Sequence, residues 1–197
     1  MDELRQAFRD RILILDGAMG TMLQRHGLSG NNETFNLSHP DAVRDIHRAY
    51  IDAGADIIST NTFGANRISQ ADYGLAAQAR EFAREGARIA RSAADAAPRK
   101  VRVAGSLGHT GKSLTLPQDL GNPAWRPVSF DEMAEAYAEQ VHGLLEGGVD
   151  ALLLETCFDA LNTKAARYAI SSIPEAAALP LLISVSVSDR SGRTLTG

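Results

Sequence analysis

Short, almost unbroken runs of Ile, Leu, Val and Ala alternate along this chain with longer amphipathic segments, and each apolar run ends in small or polar residues. Continuous apolarity marks strands covered on both faces, and strands that alternate with helices build parallel βα units. The runs read as strands are residues 12–16, 56–60, 101–105, 151–155 and 181–187; helices are expected over 40–53, 76–96, 129–146 and 160–173. In the first of these helices Ala42, Val43, Ile46, Ala49, Tyr50 and Ala53 recur at spacings of three and four, one stripe to lay on a sheet. Ser129 followed by Glu132 predicts a capping box, and Gly54, Gly147 and Gly148 mark helix ends.

The 197 residues, 44% hydrophobic and 22% charged, suffice for one real core, so a single domain over 1–197 is expected. Twenty Lys and Arg against 24 Asp and Glu leave a charge of −4 with no run of one sign, which argues against nucleic acid and membrane as partners. Apolar runs such as 151–154 and 179–187 fall far short of the roughly 20 residues that span a bilayer. Residues 1–10 mix acids and arginines and lack the layout of a secretory signal, so a cytoplasmic chain is expected. Cys157 is the only cysteine, which forbids an internal disulfide and agrees with a reducing compartment.

Two segments break the rhythm. Residues 28–38 are polar and Asn-rich, and residues 110–127 hold three prolines and the only tryptophan, Trp125. Both are read as long βα loops, the loops that build binding sites in parallel barrels and doubly wound sheets. Tolerated surface insertions are the alternative.

The residues that end the apolar runs carry the chemistry: Asp16-Gly17-Ala18-Met19-Gly20-Thr21, Thr60-Asn61-Thr62-Phe63-Gly64, Gly105-Ser106-Leu107-Gly108 and Glu155-Thr156-Cys157-Phe158-Asp159. In a closed parallel sheet all of them converge on one rim. Asp16 and Glu155 can hold a cationic amine; the alternative is that they cap helices or pair with a structural Arg. Gly17 and Gly20 flank a turn whose N–H groups can approach a carboxylate, without the spacing of a dinucleotide loop or the Lys of a P-loop. An acid for an amine and N–H groups for a carboxylate describe an amino-acid site. Cys157 has no second Cys or His at ligand spacing and reads as a packed thiol rather than a metal ligand. Of the five histidines, His47 and His142 fall inside helices, and His109 alone has a claim on a ligand.

Three motifs in order, Leu15-Asp16-Gly17-Ala18-Met19-Gly20-Thr21, Gly54-Ala55-Asp56-Ile57-Ile58-Ser59-Thr60-Asn61-Thr62-Phe63 and Gly148-Val149-Asp150-Ala151-Leu152-Leu153-Leu154-Glu155-Thr156, make the chain resemble the homocysteine S-methyltransferases throughout. Asn31-Asn32-Glu33, the loop stretch 114–125 and residues 191–197 look more like the cobalamin-dependent methionine synthases than the S-methylmethionine-using enzymes. The resemblance implies a TIM (β/α)₈ barrel of which about the first five βα units are present, with homocysteine at the carboxyl end of the strands and its sulfur activated by zinc. It further implies that Glu155 binds the homocysteine amino group, that the turn at Asp16 and Gly17 with Thr60 holds the amino-acid end, and that Asn61 takes part. Cobalamin and methyltetrahydrofolate modules of a larger enzyme are the implied partners. The family's three zinc cysteines would lie past Gly197, so no metal ligand is assigned here and the chain alone is expected to be inactive. Gly108-His109-Thr110-Gly111 departs from the family's Gly-Pro-Thr-Asn. An S-methylmethionine- or betaine-dependent enzyme and a non-enzymatic fragment are the competing readings.

Overall fold

The computed structural model describes residues 2–117, 119–187 and 189–196. In chain order the elements are α1 (Asp2–Asp10), α2 (Met19–Arg25), α3 (Phe35–Ser38), α4 (Pro40–Asp52), β1 (Ile57–Ser59), α5 (Arg67–Ala71), α6 (Ala79–Asp95), β2 (Arg102–Leu107), α7 (Phe130–Gly147), β3 (Ala151–Cys157), α8 (Ala160–Ser172), α9 (Pro174–Ala177) and β4 (Leu181–Val185). The four strands form one parallel sheet in the order β1-β2-β3-β4, so neighbours in the sheet are neighbours in the chain. Among the described residues no helix is long and apolar enough to cross a membrane.

Strand alternation divides the core in two. Ile58, Val103, Leu152 and Leu154 pack outward against the helices, with Phe82, Tyr137 and Leu144 among their companions. Ile57, Ala104, Ala151 and Leu153 face inward, where Leu4 of α1 joins them. Helices α6 and α7 approach closely because small residues line their contact: a Cβ on Gly143 would stand 2.5 Å from the Arg80 carbonyl oxygen.

Several expectations change. The run at 12–16 is no strand: it makes a single parallel bridge, Leu15 to Ile57, so the sheet has four strands where five were expected. It has a neighbour on one side only, and Ile12 and Ile14 are 87% and 56% exposed. The Arg11 guanidinium and the Ile14 N–H bind the Asp56 carboxylate and pin the segment beside β1. Residues 28–38 are not all loop: Asn31 caps a 3₁₀ turn at Asn32–Thr34, which leads into α3. The helix expected over 76–96 begins as a 3₁₀ turn at Ala76–Gln78 before α6. Gly147 still lies within α7, and Gly148, in the left-handed region at φ 87°, ends it. The capping box at Ser129 and Glu132 forms with both of its hydrogen bonds.

Candidate functional site

At the carboxyl ends of the strands the inner face opens into a cavity of about 680 Å³. Since side chains alternate along a strand, the inward series Ile57, Ala104 and Leu153 continues to Ser59, Ser106 and Glu155, one polar residue per strand. All three line the cavity, together with Asp16, Gly17, Thr60 and Asn61. The predicted site residues thus come together in one place.

Their roles differ. Asp16 Oδ2 accepts the Ser59 N–H and Oδ1 the Ser59 hydroxyl, both at 2.9 Å. Burial pushes its pKa up to about 6 against those two hydrogen bonds, and the negative charge of Glu155 adds to the rise. Glu155 Oε1 accepts the Ser106 hydroxyl at 2.5 Å. Just beyond Glu155 the pairing of β3 with β4 slips between Leu154 and Cys157. Thr156, at φ 59°, is the one non-glycine residue with positive φ among those described. Bulges and strained residues of this kind re-aim side chains at sites.

Thr60 and Asn61 face the cavity, but their polar groups are engaged in the scaffold. Thr60 Oγ1 accepts the Ser106 N–H at 2.9 Å and lies 2.6 Å from Thr62 Oγ1. Thr62 gives its own proton to the Ser106 carbonyl, so the Thr60 proton goes to Thr62. Asn61 Nδ2 donates to the Asn32 carbonyl at 2.8 Å and to Asn36 Oδ1 at 2.9 Å. At Gly17 any Cβ would stand 2.9 Å from the Tyr50 hydroxyl, which donates to the Ala18 carbonyl, so a side chain there would have to displace the Tyr50 ring.

Besides Ser59, the lining residues Glu33 and Ser106 were not picked out as site residues. Glu33 is buried with its Oε1 accepting the Gly64 N–H at 2.6 Å, and burial raises its pKa. Ser106 holds Glu155. Counting back by strand parity from Glu155 and across the sheet is the signal that finds Ser106; nothing near Glu33 in the chain announces its partner.

The long loop is anchored at Asp159, the N-cap of α8. Its carboxylate accepts the Leu161 and Asn162 N–H groups, the Ser113 and Thr115 hydroxyls and the Leu114 and Thr115 N–H groups. The Arg126 guanidinium adds bonds to the carbonyls of Leu114, Thr115, Pro123 and Trp125.

The described residues compose no zinc centre. Among the described residues no group of three His, Cys, Asp or Glu side chains is placed to hold a metal. Cys157 is buried with its thiol toward the Leu154 carbonyl at 3.7 Å, and burial raises its pKa. His109 stacks on Phe158, and its Nδ1 accepts the Gly111 N–H at 2.8 Å. A neutral imidazole that accepts at Nδ1 carries its proton on Nε2, which leaves no lone pair there for a metal.

Residues 13–197 match the family model described as homocysteine S-methyltransferase. The chain belongs to that family. Among solved structures, the homocysteine methyltransferase MmuM from Escherichia coli matches in three forms, each at 24% identity. Its oxidised form gives a TM-score of 0.80 over 99% of this chain and 70% of MmuM. The metallated form gives 0.78 over 98% and 70%, and the apo form 0.71 over 98% and 68%. The likeness establishes the architecture: the four parallel strands and their helices are an arc of the TIM-barrel type of α/β fold on which the homocysteine S-methyltransferases are built.

Proposed function

We propose that the cavity binds homocysteine by its amino-acid end and that the chain serves a homocysteine methyltransferase of the methionine synthase type, which transfers a methyl group to the homocysteine thiolate to give methionine. The observation that carries this reading is the meeting of two carboxylates, Asp16 and Glu155, in one cavity of a chain that belongs to this family. Glu155 takes the ammonium group, with Asp16 as a second negative charge beside it. The turn at Gly17 supplies backbone N–H groups for the carboxylate, and Thr60 and Asn61 shape the wall rather than touch the ligand. Asn31-Asn32-Glu33 and the 114–125 stretch favour the methionine synthase type, and with it cobalamin as methyl carrier and methyltetrahydrofolate modules as partners. Zinc, which presents a thiol as thiolate at neutral pH, is in this reading held by ligands other than the residues described.

Isothermal calorimetry of the chain with L-homocysteine tests the binding step. Saturable one-to-one binding that is lost on removing the amine or the carboxylate of the ligand is expected, and equal binding of an alkanethiol without either group rejects the amino-acid site. Presenting methylcobalamin, S-methylmethionine and betaine in turn to the enzyme that carries this chain, with zinc supplied, identifies the donor.

A further inference from the structure

The backbone of Ser106 and its side chain do different work. The backbone is locked into the scaffold: its N–H donates to Thr60 Oγ1 at 2.9 Å, and its carbonyl accepts Thr62 Oγ1 at 2.8 Å and Gln140 Nε2 at 3.2 Å. Those bonds use no atom of the side chain, so removing the hydroxyl leaves their groups in place. The hydroxyl, on a residue only 2% exposed, makes one bond among the described residues, to Glu155 Oε1.

We propose that Ser106 is a positioning residue whose hydroxyl fixes one oxygen of Glu155, so that the other is turned to the cavity for the ammonium group of an amino-acid ligand. The inference rests on the reading of the cavity as a homocysteine site and adds a residue to it. A free glutamate side chain samples many rotamers, and freezing it when the ligand arrives costs affinity. Here one oxygen is fixed beforehand by the Ser106 hydroxyl, and the strained backbone at Thr156 follows directly on the residue that carries it. Asp16 also leans on a serine, though more fully: Ser59, which faces inward on β1 and pairs with Ala104, two residues before Ser106, binds Oδ2 through its N–H and Oδ1 through its hydroxyl. Both carboxylates assigned to the ligand, Asp16 and Glu155, therefore lean on an inward-facing serine of a neighbouring strand. An ammonium group offers three N–H donors, and acceptors fixed in advance can meet them without rearrangement.

Ser106→Ala separates this role from a structural one, because it removes only the hydroxyl. Calorimetry on the chain is run with L-homocysteine and with 4-sulfanylbutanoate, which has the same thiol and carboxylate but no amine. Ser106→Ala should weaken homocysteine by about tenfold, as expected when a charge-assisted contact is loosened, while 4-sulfanylbutanoate binds it as it binds the wild type. In the background of Glu155→Ala, the serine change should cost nothing further, since coupled residues are not additive. A loss that is the same for both ligands, or one that persists undiminished without Glu155, overturns the positioning role. If the wild-type chain binds neither ligand, the homocysteine reading falls and this inference with it; if the wild type binds homocysteine and Ser106→Ala binds it equally well, Ser106 alone is removed.

Discussion

Replacing Glu155 by Gln keeps the size of the side chain and removes its charge. The bond proposed to a substrate ammonium then becomes a neutral one, and the expected loss of homocysteine affinity is about 1.5–3 kcal/mol, measurable by calorimetry; unchanged affinity would take Glu155 out of the site. Asp16 gives a pH signature. Its pKa of about 6 lies above the ordinary carboxylate value of 3.8, so between those values the folded chain keeps a proton that the unfolded chain has lost. Stability from this group therefore declines as pH rises through that window, whereas attraction for an ammonium ligand grows as Asp16 ionises. Homocysteine affinity measured from pH 5 to 7.5 should climb through a midpoint near 6, and Asp16→Asn should flatten the climb. The place of Asp16 and Glu155 at the rim was legible in the sequence because each follows directly on an apolar run, although the run before Asp16 proves largely exposed. What the sequence could not tell is that the Thr60 hydroxyl and the Asn61 amide are engaged elsewhere. Apart from Thr62, their partners, Ser106, Asn32 and Asn36, lie tens of residues away and meet them only in the folded chain.

Among the elements, the junction of α8 with the 110–127 loop depends on one carboxylate. Burial would raise the pKa of Asp159, but the hydrogen bonds from Ser113, Thr115 and the α8 N-terminus outweigh it and hold the group below the usual range. The stability it lends is thus complete above the pKa of the unfolded chain and disappears as pH falls through the lower folded value. Asp159→Ala removes a helix cap and strands several donors at once, for a loss of about 2–4 kcal/mol in urea denaturation. A loss below the worth of a single cap would show that the loop does not depend on it. Helices were largely readable from the stripe they lay on the sheet, and central strands from their unbroken apolarity, because the strands are covered on both faces. The segment at 12–16 was not, since an apolar run does not reveal whether a second strand stands beside it. The turn and helix within 28–38 were hidden by polarity: Asn31 reads as loop composition, and its capping bond to the Glu33 N–H appears only in three dimensions.

In the molecule as a whole the arc of four strands has two bare flanks. On one side Ile12 and Ile14 are exposed; on the other, Ile183 and Val185 of β4 are 46% and 53% exposed. Unpaired edges with apolar side chains invite association. Light scattering of the isolated chain should show self-association that grows with concentration and recedes in a variant carrying Ile14→Lys and Val185→Lys; a monomer at all concentrations would show the flanks to be harmless. Metal analysis after dialysis should find well under one zinc per chain, because the described residues gather no three-ligand set and a catalytic zinc generally takes three. Stoichiometric zinc that vanishes in Cys157→Ser would contradict this. The sheet order, β1-β2-β3-β4, also bears on how the molecule comes into being. Each strand after the first docks on one that precedes it in the chain, so on the ribosome no strand waits for a partner still to be translated. The two carboxylates follow the same timetable. Asp16 meets Ser59 early, whereas Glu155 emerges well after Ser106, so the pair of carboxylates is complete only once β3 has been made.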